Sequence, residues 1–338
     1  MKKIWPLLLI TIALTVSSCE EALVGSNPKD SPVKTFNIFW EDLDRYYSFF
    51  ELKNVDWDSV YSVYRPKVDE NTSQEKLRDV LSEMLLTLKD GHVTLYTENN
   101  SITYSGWREN APKNFYMDRI IKSYLNNPES DTNFLYGSIN SRIGYLYINS
   151  FSSDEFSGFD EVFDRLDQYQ ALIIDIRSNG GGSDTNSRLV ANHFTTERRP
   201  YRYTRYRNGP QHDDFTDWEK ASIEPAQGSV FKGPVAVLTN RRVFSAAEDF
   251  CLAMQTIPDA KIVGDTTGGG SGNPIFRELP NGWTFRLSRW QSVNLDFVHY
   301  EGRGIYPDIP VWITYRDYAQ NRDTILEKGL QYLYSELD

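Results

Sequence analysis

A serine at a strand-to-helix junction is the residue of this sequence best placed to act as a nucleophile. An apolar run over residues 234–238 predicts a short buried strand, and residues 246–255 predict the helix that follows. Ser245 lies between them, so its hydroxyl should be accessible beside the free N–H groups of the first helical turn. These features suit a nucleophile whose reaction passes through an oxyanion, although serine is also a common helix N-cap.

Two further segments place polar groups where a site could form. A helix that ends at Gly91 runs directly into His92 and a predicted strand, which favours an imidazole exposed in a cleft. Three glycines, Gly180, Gly181 and Gly182, follow a continuous apolar run over 172–176 that is typical of a strand buried on both faces. Such a loop can turn N–H groups inward as an anion or oxyanion cradle, or it can be only a flexible turn. Neither a P-loop nor a dinucleotide-binding glycine pattern is present.

The elements around these segments predict an α/β protein with helices at its start. Aromatic and aliphatic residues recur at helical spacing over 33–89 and predict a small helical domain. From Arg142 onward, strands alternate with helices, which implies parallel pairing. The sequence Pro280-Asn281-Gly282 predicts a hairpin turn, and a helix over about 319–337 ends the chain. We expect five segments: a signal peptide at 1–18, a tether at 19–32, a helical domain at 33–95, a catalytic domain at 96–316 and a terminal helix at 317–338.

Four motifs together resemble the S41 family of serine peptidases, which includes the tail-specific or C-terminal-processing proteases and their tricorn-type relatives. The motifs span residues 90–92, 175–182, 244–248 and 301–308. The resemblance implies a ClpP/crotonase-like spiral α/β core and peptide-bond hydrolysis without a metal or cofactor. The lysine of the C-terminal-processing branch falls in a region that is Thr266-Thr267-Gly268 here, and Lys261 opens a strand. The spacing from His92 to the strand at Arg142 also leaves too little chain for a PDZ domain.

The tricorn-like branch of the family uses a histidine base and a glutamate, and His92 and Glu301 match those positions. The resemblance therefore implies Ser245 as nucleophile, His92 as general base and Glu301 as the carboxylate that orients the imidazole. Because an ordinary histidine has a pKa near ~6.5, kcat/KM should rise between about pH 6 and 7.5. The oxyanion donors should be the amides of Gly181 and Ala246, with Gly180 or Gly182 able to replace Gly181. His299 is a rival base, but its loop is shared with Glu301.

The start of the chain predicts export and lipid anchoring. Lys2 and Lys3 precede an apolar stretch over 4–16 that is short for a bilayer span, and Ser17-Ser18-Cys19 resembles the lipobox of bacterial lipoproteins. We expect Cys19 to carry the lipid and the protein to lie in the cell envelope, on the periplasmic face or the cell surface. Only Cys251 remains, in a helix where it should be a buried hydrophobe, so no intramolecular disulfide can form.

Composition and compartment narrow the partners. A net charge of −11 in 338 residues argues against a nucleic-acid partner. The resemblance to the S41 family implies a polypeptide substrate. An acyl-CoA enzyme on the same architecture is a rival, but acyl-CoA is cytoplasmic and the signal peptide argues for export. The other rival is a catalytically silent peptide-binding lipoprotein on the same scaffold, which the intact serine, histidine and glutamate disfavour.

Overall fold

The computed structural model describes residues 31–109, 111–152, 156 and 158–338, so the predicted signal peptide and Cys19 lie outside the described residues. The helices of the described part are α1 (Pro32–Tyr46), α2 (Phe50–Lys53), α3 (Trp57–Tyr64), α4 (Gln74–Thr87), α5 (Gly106–Glu109), α6 (Met117–Ser123), α7 (Phe159–Leu166), α8 (Asp184–Asn192), α9 (Ala246–Met254), α10 (Tyr315–Ala319) and α11 (Thr324–Leu337). Within these ranges, no helix combines the length and the apolar character that crossing a membrane requires.

The strands form three sheets. In chain order they are β1 (Thr94–Tyr96), β2 (Ser101–Thr103), β3 (Asn126–Ser130), β4 (Phe134–Ser138), β5 (Ile143–Ile148), β6 (Ala171–Asp175), β7 (Arg199–Tyr206), β8 (Glu219–Ile223), β9 (Val235–Thr239), β10 (Ala260–Gly264), β11 (Pro274–Glu278), β12 (Thr284–Ser288), β13 (Trp290–Val293) and β14 (Ile309–Pro310). The largest sheet has the order β14-β10-β9-β6-β5-β4-β3, and the smaller ones have the orders β11-β12-β1-β2 and β13-β7-β8. The predicted mixed α/β fold is therefore confirmed.

The large sheet brings the two predicted catalytic loops to one edge. Strands β6 and β9 pair in parallel, with Asp175 opposite Leu238. Both strands are buried along their whole length, in keeping with the apolar runs of the sequence. Because parallel strands end at the same edge, the glycine loop after β6 and the turn to Ser245 after β9 lie side by side.

The N-terminal helices share a hydrophobic core with a hairpin that comes much later in the chain. Buried residues of α1 and α4 pack with Leu279, Trp283, Phe285 and Leu287 of the β11–β12 region. The hairpin is the one predicted at residues 280–282, and its register pairs Ile275 with Leu287. Strand β1, which follows His92, pairs with β12. The segment at 33–95 is thus joined to the 96–316 segment through one core and one sheet.

The end of the chain differs from the expected single helix. Helix α10 is short, and the long helix α11 begins only at Thr324, because Asp323 caps it by accepting a hydrogen bond from the Leu326 amide at 3.0 Å. Helix α11 then packs on β6 and β9 through a core that includes Ile325, Leu326 and Leu333. The terminal helix therefore covers the face of the large sheet whose strands carry the catalytic loops.

Candidate active site

Ser245 is held in a backbone conformation that few side chains adopt. Ser245 lies between β9 and Ala246, the first residue of α9. Its φ is 58° and its ψ is −128°. A non-glycine residue in such a region carries a strain on the order of 1–3 kcal/mol, which the surrounding structure must hold. The strained turn presents Ser245 to a cavity of about 670 Å³. Exposed serines on sharp strand-to-helix turns are a recurrent way to hold a nucleophile.

The buried carboxylate of Glu248 holds this turn in place. Its Oε2 accepts hydrogen bonds from the amides of Ser245 at 3.0 Å and Gly270 at 2.7 Å. Its Oε1 accepts one from the Gly269 amide at 2.8 Å and one from the Thr267 hydroxyl. Burial raises the pKa of Glu248 to about 8, against hydrogen bonds that favour the ionised form. One side chain therefore connects the backbone of Ser245 to the loop over 267–270.

His92 lines the same cavity as Ser245 and is more deeply buried than expected. Its exposed fraction is 4%, and its ring lies 4.7 Å from that of Phe244, the residue before the nucleophile. The expectation that His92 would be exposed is thus wrong, because aromatic side chains close over the helix-to-strand junction. Its Nδ1 is buried without a hydrogen-bond partner among the described residues. The pKa of His92 is lowered to about 4. Burial is the largest cause, Asp90 opposes it, and Arg286 and Lys53 add to it.

Asp90 fixes the backbone that carries His92. Its Oδ1 accepts a hydrogen bond from the His92 amide at 2.8 Å, and its Oδ2 accepts one from the Ser288 hydroxyl at 2.8 Å. Asp90 is itself buried, so these bonds compensate for the loss of hydration. In the sequence analysis Asp90 was only one residue of the motif at 90–92 and was given no role of its own. Its link to Ser288 on β12 could not be found without the fold, because the two residues are far apart in the chain.

Glu301 is buried and paired with a lysine. Its Oε1 lies 2.9 Å from Lys53 Nζ, and its Oε2 accepts hydrogen bonds from the amide of Ser271 at 2.8 Å and from its hydroxyl at 3.1 Å. Burial raises the pKa of Glu301 to about 7, with Asp90 adding to the rise and Lys53 opposing it. The recorded hydrogen bonds and ion pairs of Glu301 among the described residues do not include His92. Sequence reasoning did not single out Lys53, since it lies in a short helix with no catalytic pattern.

A second cavity lies between Glu301 and the segment that carries His92. Its volume is about 490 Å³, and it is lined by Lys53, Gly91, Phe244 and Glu301 among others. Gly91 and Phe244 also line the cavity that holds Ser245 and His92. Glu301 and Ser245 therefore line two different cavities that share Gly91 and Phe244.

The amides predicted to bind the oxyanion are not equally available. The Gly181 N–H donates to Asn179 Oδ1 at 2.9 Å, so it is occupied in this structure. Gly180 and Gly182 line the cavity beside Ser245, and no hydrogen bond from either amide, or from that of Ala246, is recorded among the described residues. The geometry thus favours the two alternative glycines over Gly181 as the partner of Ala246. The direction of each N–H could not be predicted from three consecutive glycines.

Gly181 nevertheless has a strict requirement for glycine. Its φ is +95°, and a Cβ at this position would lie 2.6 Å from the carbonyl oxygen of Phe244, 2.7 Å from the Cβ of Ser245 and 2.9 Å from the amide of Ala246. These are backbone or stiff neighbours that cannot move away without displacing the nucleophile. The glycine loop after β6 therefore packs directly against the turn after β9.

A buried ion-pair cluster supports the same loop from below. The Arg177 guanidinium lies 2.6 Å from Asp175 Oδ2 and 2.8 Å from Asp323 Oδ2, with all three side chains buried. The Tyr145 hydroxyl donates a further hydrogen bond to Asp175 at 2.9 Å. These carboxylates raise the pKa of Arg177 although burial alone would lower it. The cluster connects the end of β6 to the N-cap of α11.

The remaining candidates lie away from the nucleophile. Lys261 is the second residue of β10 and does not line the cavities beside Ser245. His299 likewise does not line them, and burial lowers its pKa. Cys251 is buried inside α9, as predicted. Among the described residues, no group of three or more His, Cys, Asp or Glu side chains is arranged to hold a metal ion.

Comparisons with known proteins show which proteins this chain is similar to. The sequence profile of peptidase family S41 matches residues 142–311, and that of the tricorn protease C1 domain matches residues 28–86. The chain is 26% identical over 173 residues to the carboxy-terminal processing protease CtpB of Bacillus subtilis, covering 50% of this chain and 34% of the relative. It is 23% identical over 222 residues to the tricorn protease of Thermoplasma acidophilum, covering 65% of this chain but 19% of the relative. The chain thus spans well under half of either curated relative.

One solved structure is similar to this chain over nearly the whole length of both chains. It comes from Parabacteroides merdae and was described as that of a candidate peptidase. The identity is 37%, with 90% of this chain and 97% of that chain covered and a TM-score of 0.83. The likeness therefore extends over most of the fold described above.

Proposed function

Since the chain belongs to peptidase family S41, a family of serine-type peptidases, we propose that it hydrolyses peptide bonds in polypeptides through Ser245. The single observation that carries the proposal is the cavity that Ser245 and His92 both line, together with Gly180 and Gly182 of the loop after β6. A serine at its free pKa is a weak nucleophile and needs an adjacent base. The imidazole of His92 lines this cavity and is buried there, whereas Lys113, a lysine that also lines it, is exposed.

In the proposed reaction His92 accepts the proton of the Ser245 hydroxyl as the serine oxygen attacks the scissile carbonyl carbon. The carbonyl oxygen becomes an oxyanion, which the amides of Ala246 and of Gly180 or Gly182 bind. Each such donor is worth roughly 3 kcal/mol of barrier in comparable sites. His92 then returns the proton to the leaving amine, and water hydrolyses the acyl-enzyme by the reverse order of proton transfers.

Glu301 has the role of supporting the imidazolium of His92 in this proposal. The buried Nδ1 of His92 lacks an acceptor, and an N–H there would be costly to leave unpaired. Glu301 lines the cavity of about 490 Å³ together with Gly91, the residue before His92, but His92 itself does not line it, so the support that we propose is that of a nearby negative charge. Glu301 must then be ionised, which its ion pair with Lys53 at 2.9 Å favours.

We also propose that the enzyme acts in the cell envelope, anchored through a lipid on Cys19. The support is the sequence alone: a short apolar stretch after Lys2 and Lys3 that ends at Ser17-Ser18-Cys19. Mass spectrometry of the N-terminus of the protein purified from its membrane fraction tests this. A diacylated N-terminal Cys19 is expected, and an unacylated start at any other residue would refute the anchor.

A fluorophosphonate probe tests the peptidase proposal directly. Such probes form a covalent bond with an activated serine, so the parent protein should be labelled and should cleave an unfolded protein substrate. The variant Ser245→Ala should do neither, with its thermal unfolding unchanged. A parent protein that binds peptides but is neither labelled nor active would instead support a silent peptide-binding protein on this scaffold.

A further inference from the structure

Among the described residues, the cavity beside Ser245 is lined by cations without a balancing carboxylate. The described part of its lining includes four basic side chains, Arg108, Lys113, Arg242 and Arg286, and no Asp or Glu. None of these four forms an ion pair with any carboxylate in the described part of the chain. The whole protein carries a net charge of −11, so this concentration of positive charge runs against its overall composition.

Two of the cations flank the catalytic pair. Arg286 lies on β12 opposite Thr94, and its Nε donates a hydrogen bond to Thr94 Oγ1 at 3.2 Å. This bond anchors the half-buried side chain and leaves the two terminal nitrogens of the guanidinium for a ligand. Arg242 belongs to the turn that leads to Ser245, and its amide donates to Asn240 Oδ1 at 3.1 Å while its side chain is exposed.

The other two cations come from helix α5 and the residues that follow it. Arg108 follows Trp107, whose ring stacks on that of Phe244 at 4.4 Å and 15°. The Arg108 guanidinium lies 5.4 Å from the Trp107 ring, and Lys113 Nζ lies 4.9 Å from the ring of Tyr116. Both side chains are exposed at the mouth of the cavity. Four cations thus converge from three separate parts of the chain.

Like charges gathered in one cleft repel each other, and the repulsion is relieved when a ligand brings opposite charges. The ligand must also present a peptide bond to Ser245. We propose that this cleft selects polypeptide segments rich in aspartate and glutamate, whose side-chain carboxylates pair with Arg286 and Arg242 beside the scissile bond. This inference rests on the proposed peptidase function, and it adds the class of substrate sequence that the site prefers.

The arrangement of charges also bears on turnover. The positive charge of Arg286 lowers the pKa of His92. A substrate carboxylate bound to Arg286 would offset that charge and so stabilise the imidazolium that forms during attack by Ser245. Acidic substrates should therefore have a higher kcat as well as a lower KM.

Internally quenched peptides that differ only in charge provide the test. One peptide carries glutamates on both sides of the scissile bond, a second carries glutamines at the same positions, and each is made with a free and an amidated C-terminus. We expect kcat/KM to be about tenfold higher for the glutamate peptide at 50 mM salt, the size expected of two or three partly exposed ion pairs, and less so at 300 mM. The preference should shrink severalfold in Arg242→Gln and in Arg286→Gln, and persist in Arg198→Gln, an exposed arginine outside the cavity.

Binding of the same peptides to Ser245→Ala, measured by fluorescence anisotropy, separates the two proposals. If no peptide is cleaved but glutamate peptides bind more tightly, the charge selection stands and the peptidase function fails. If both peptides are cleaved and bound equally, the charge selection is overturned and the peptidase function stands. A preference that follows only the free C-terminus, with no effect of internal glutamates, would also overturn it.

Discussion

The Oε2 of Glu248 accepts a hydrogen bond from the amide of Ser245, with 3.0 Å between the two atoms. The same carboxylate accepts bonds from the amides of Gly269 and Gly270, so it holds the strained nucleophile and a neighbouring loop as one unit. Glu248 does not line the cavity that holds Ser245 and His92. It should therefore act through the position of Ser245.

Replacement of Glu248 should lower kcat more than it raises KM. Above pH 8, where Glu248 is ionised, Glu248→Gln replaces one acceptor oxygen by a donor that faces backbone donors, so we expect a loss of about 10²-fold in kcat, comparable to the misplacement of a catalytic group. Glu248→Ala should lose more, and the fluorophosphonate labelling rate should fall in parallel. Glu327→Gln, on α11, is the control. A variant with normal kcat and a raised KM would show that Glu248 contributes to binding instead.

The same residue makes stability depend on pH in a defined direction. The pKa of Glu248 is raised by burial from 4.5 to about 8. A group with a raised folded-state pKa contributes stability that is complete below pH 4.5 and is lost as pH rises through 8. The free energy of unfolding should therefore fall between pH 4.5 and about 8, by up to about 1.4 kcal/mol per pH unit for this group. Urea midpoints should show a shallower fall in Glu248→Gln; an unchanged slope would contradict the assignment.

Sequence reasoning recovered the fold and the order of the site, but not its contacts. Continuous apolar runs predicted β6 and β9, and the position of Ser245 between a strand and a helix followed from the same patterns. The prediction that His92 would be exposed was wrong, because the aromatic ring of Phe244, from a distant segment of the chain, covers it. Lys53 and Asp90 could not be assigned, since their partners Glu301 and Ser288 are about 200 or more residues away.

Gly181 should tolerate no side chain, for a steric reason. A Cβ there would meet the Cβ of Ser245 at 2.7 Å and would need a φ of +95°. We expect Gly181→Ala to lose at least 10²-fold in kcat/KM through displacement of the nucleophile. Gly228→Ala is the matched control, because a Cβ at Gly228 has no neighbour within 4 Å. Retained activity in Gly181→Ala would mean that the loop can move away from the turn without cost.

Loss of Arg177 should destabilise the fold by about 3–5 kcal/mol, since Arg177→Met leaves Asp175 and Asp323 as buried charges without their partner. Arg165→Met removes an exposed arginine whose ion pair with Glu129 is 2.7 Å long, and it should cost no more than about 1 kcal/mol. Urea unfolding of the two variants side by side measures the difference. Equal losses would show that the buried cluster contributes no more than a surface pair.

The pH dependence of kcat/KM should differ from that of an exposed histidine. With the pKa of His92 lowered to about 4, the imidazole remains neutral and able to accept a proton well below pH 6. The limb expected from the sequence between about pH 6 and 7.5 should therefore not come from His92. A partial limb near pH 7 is expected from Glu301, whose ionised form supports the imidazolium. Glu301→Gln should remove that limb and leave the one near pH 4, and a single limb unaffected by Glu301→Gln would refute the assignment.

The identity of the general base is decided by comparing His92 with two lysines. Lys53 is buried beside Glu301, and its Nζ lies 2.9 Å from Glu301 Oε1 and donates to the carbonyl oxygen of Lys89 at 3.0 Å. Glu301 and Asp90 raise the pKa of Lys53 although burial opposes them. A lysine must be neutral to accept a proton, so Lys53 is in the wrong protonation state to serve as the base.

His92→Ala should therefore lower kcat/KM by several orders of magnitude, as removal of a triad member does. Lys53→Met should lower it by much less, through the loss of the charge that keeps Glu301 ionised, and its limb near pH 7 should move upward. Lys261→Ala should be nearly silent, since that residue lies outside the cavity. All three variants are assayed on one peptide, with thermal unfolding as the check on folding. An inactive Lys53→Met beside an active His92→Ala would show that the site is a serine–lysine dyad and that the histidine has no part in proton transfer.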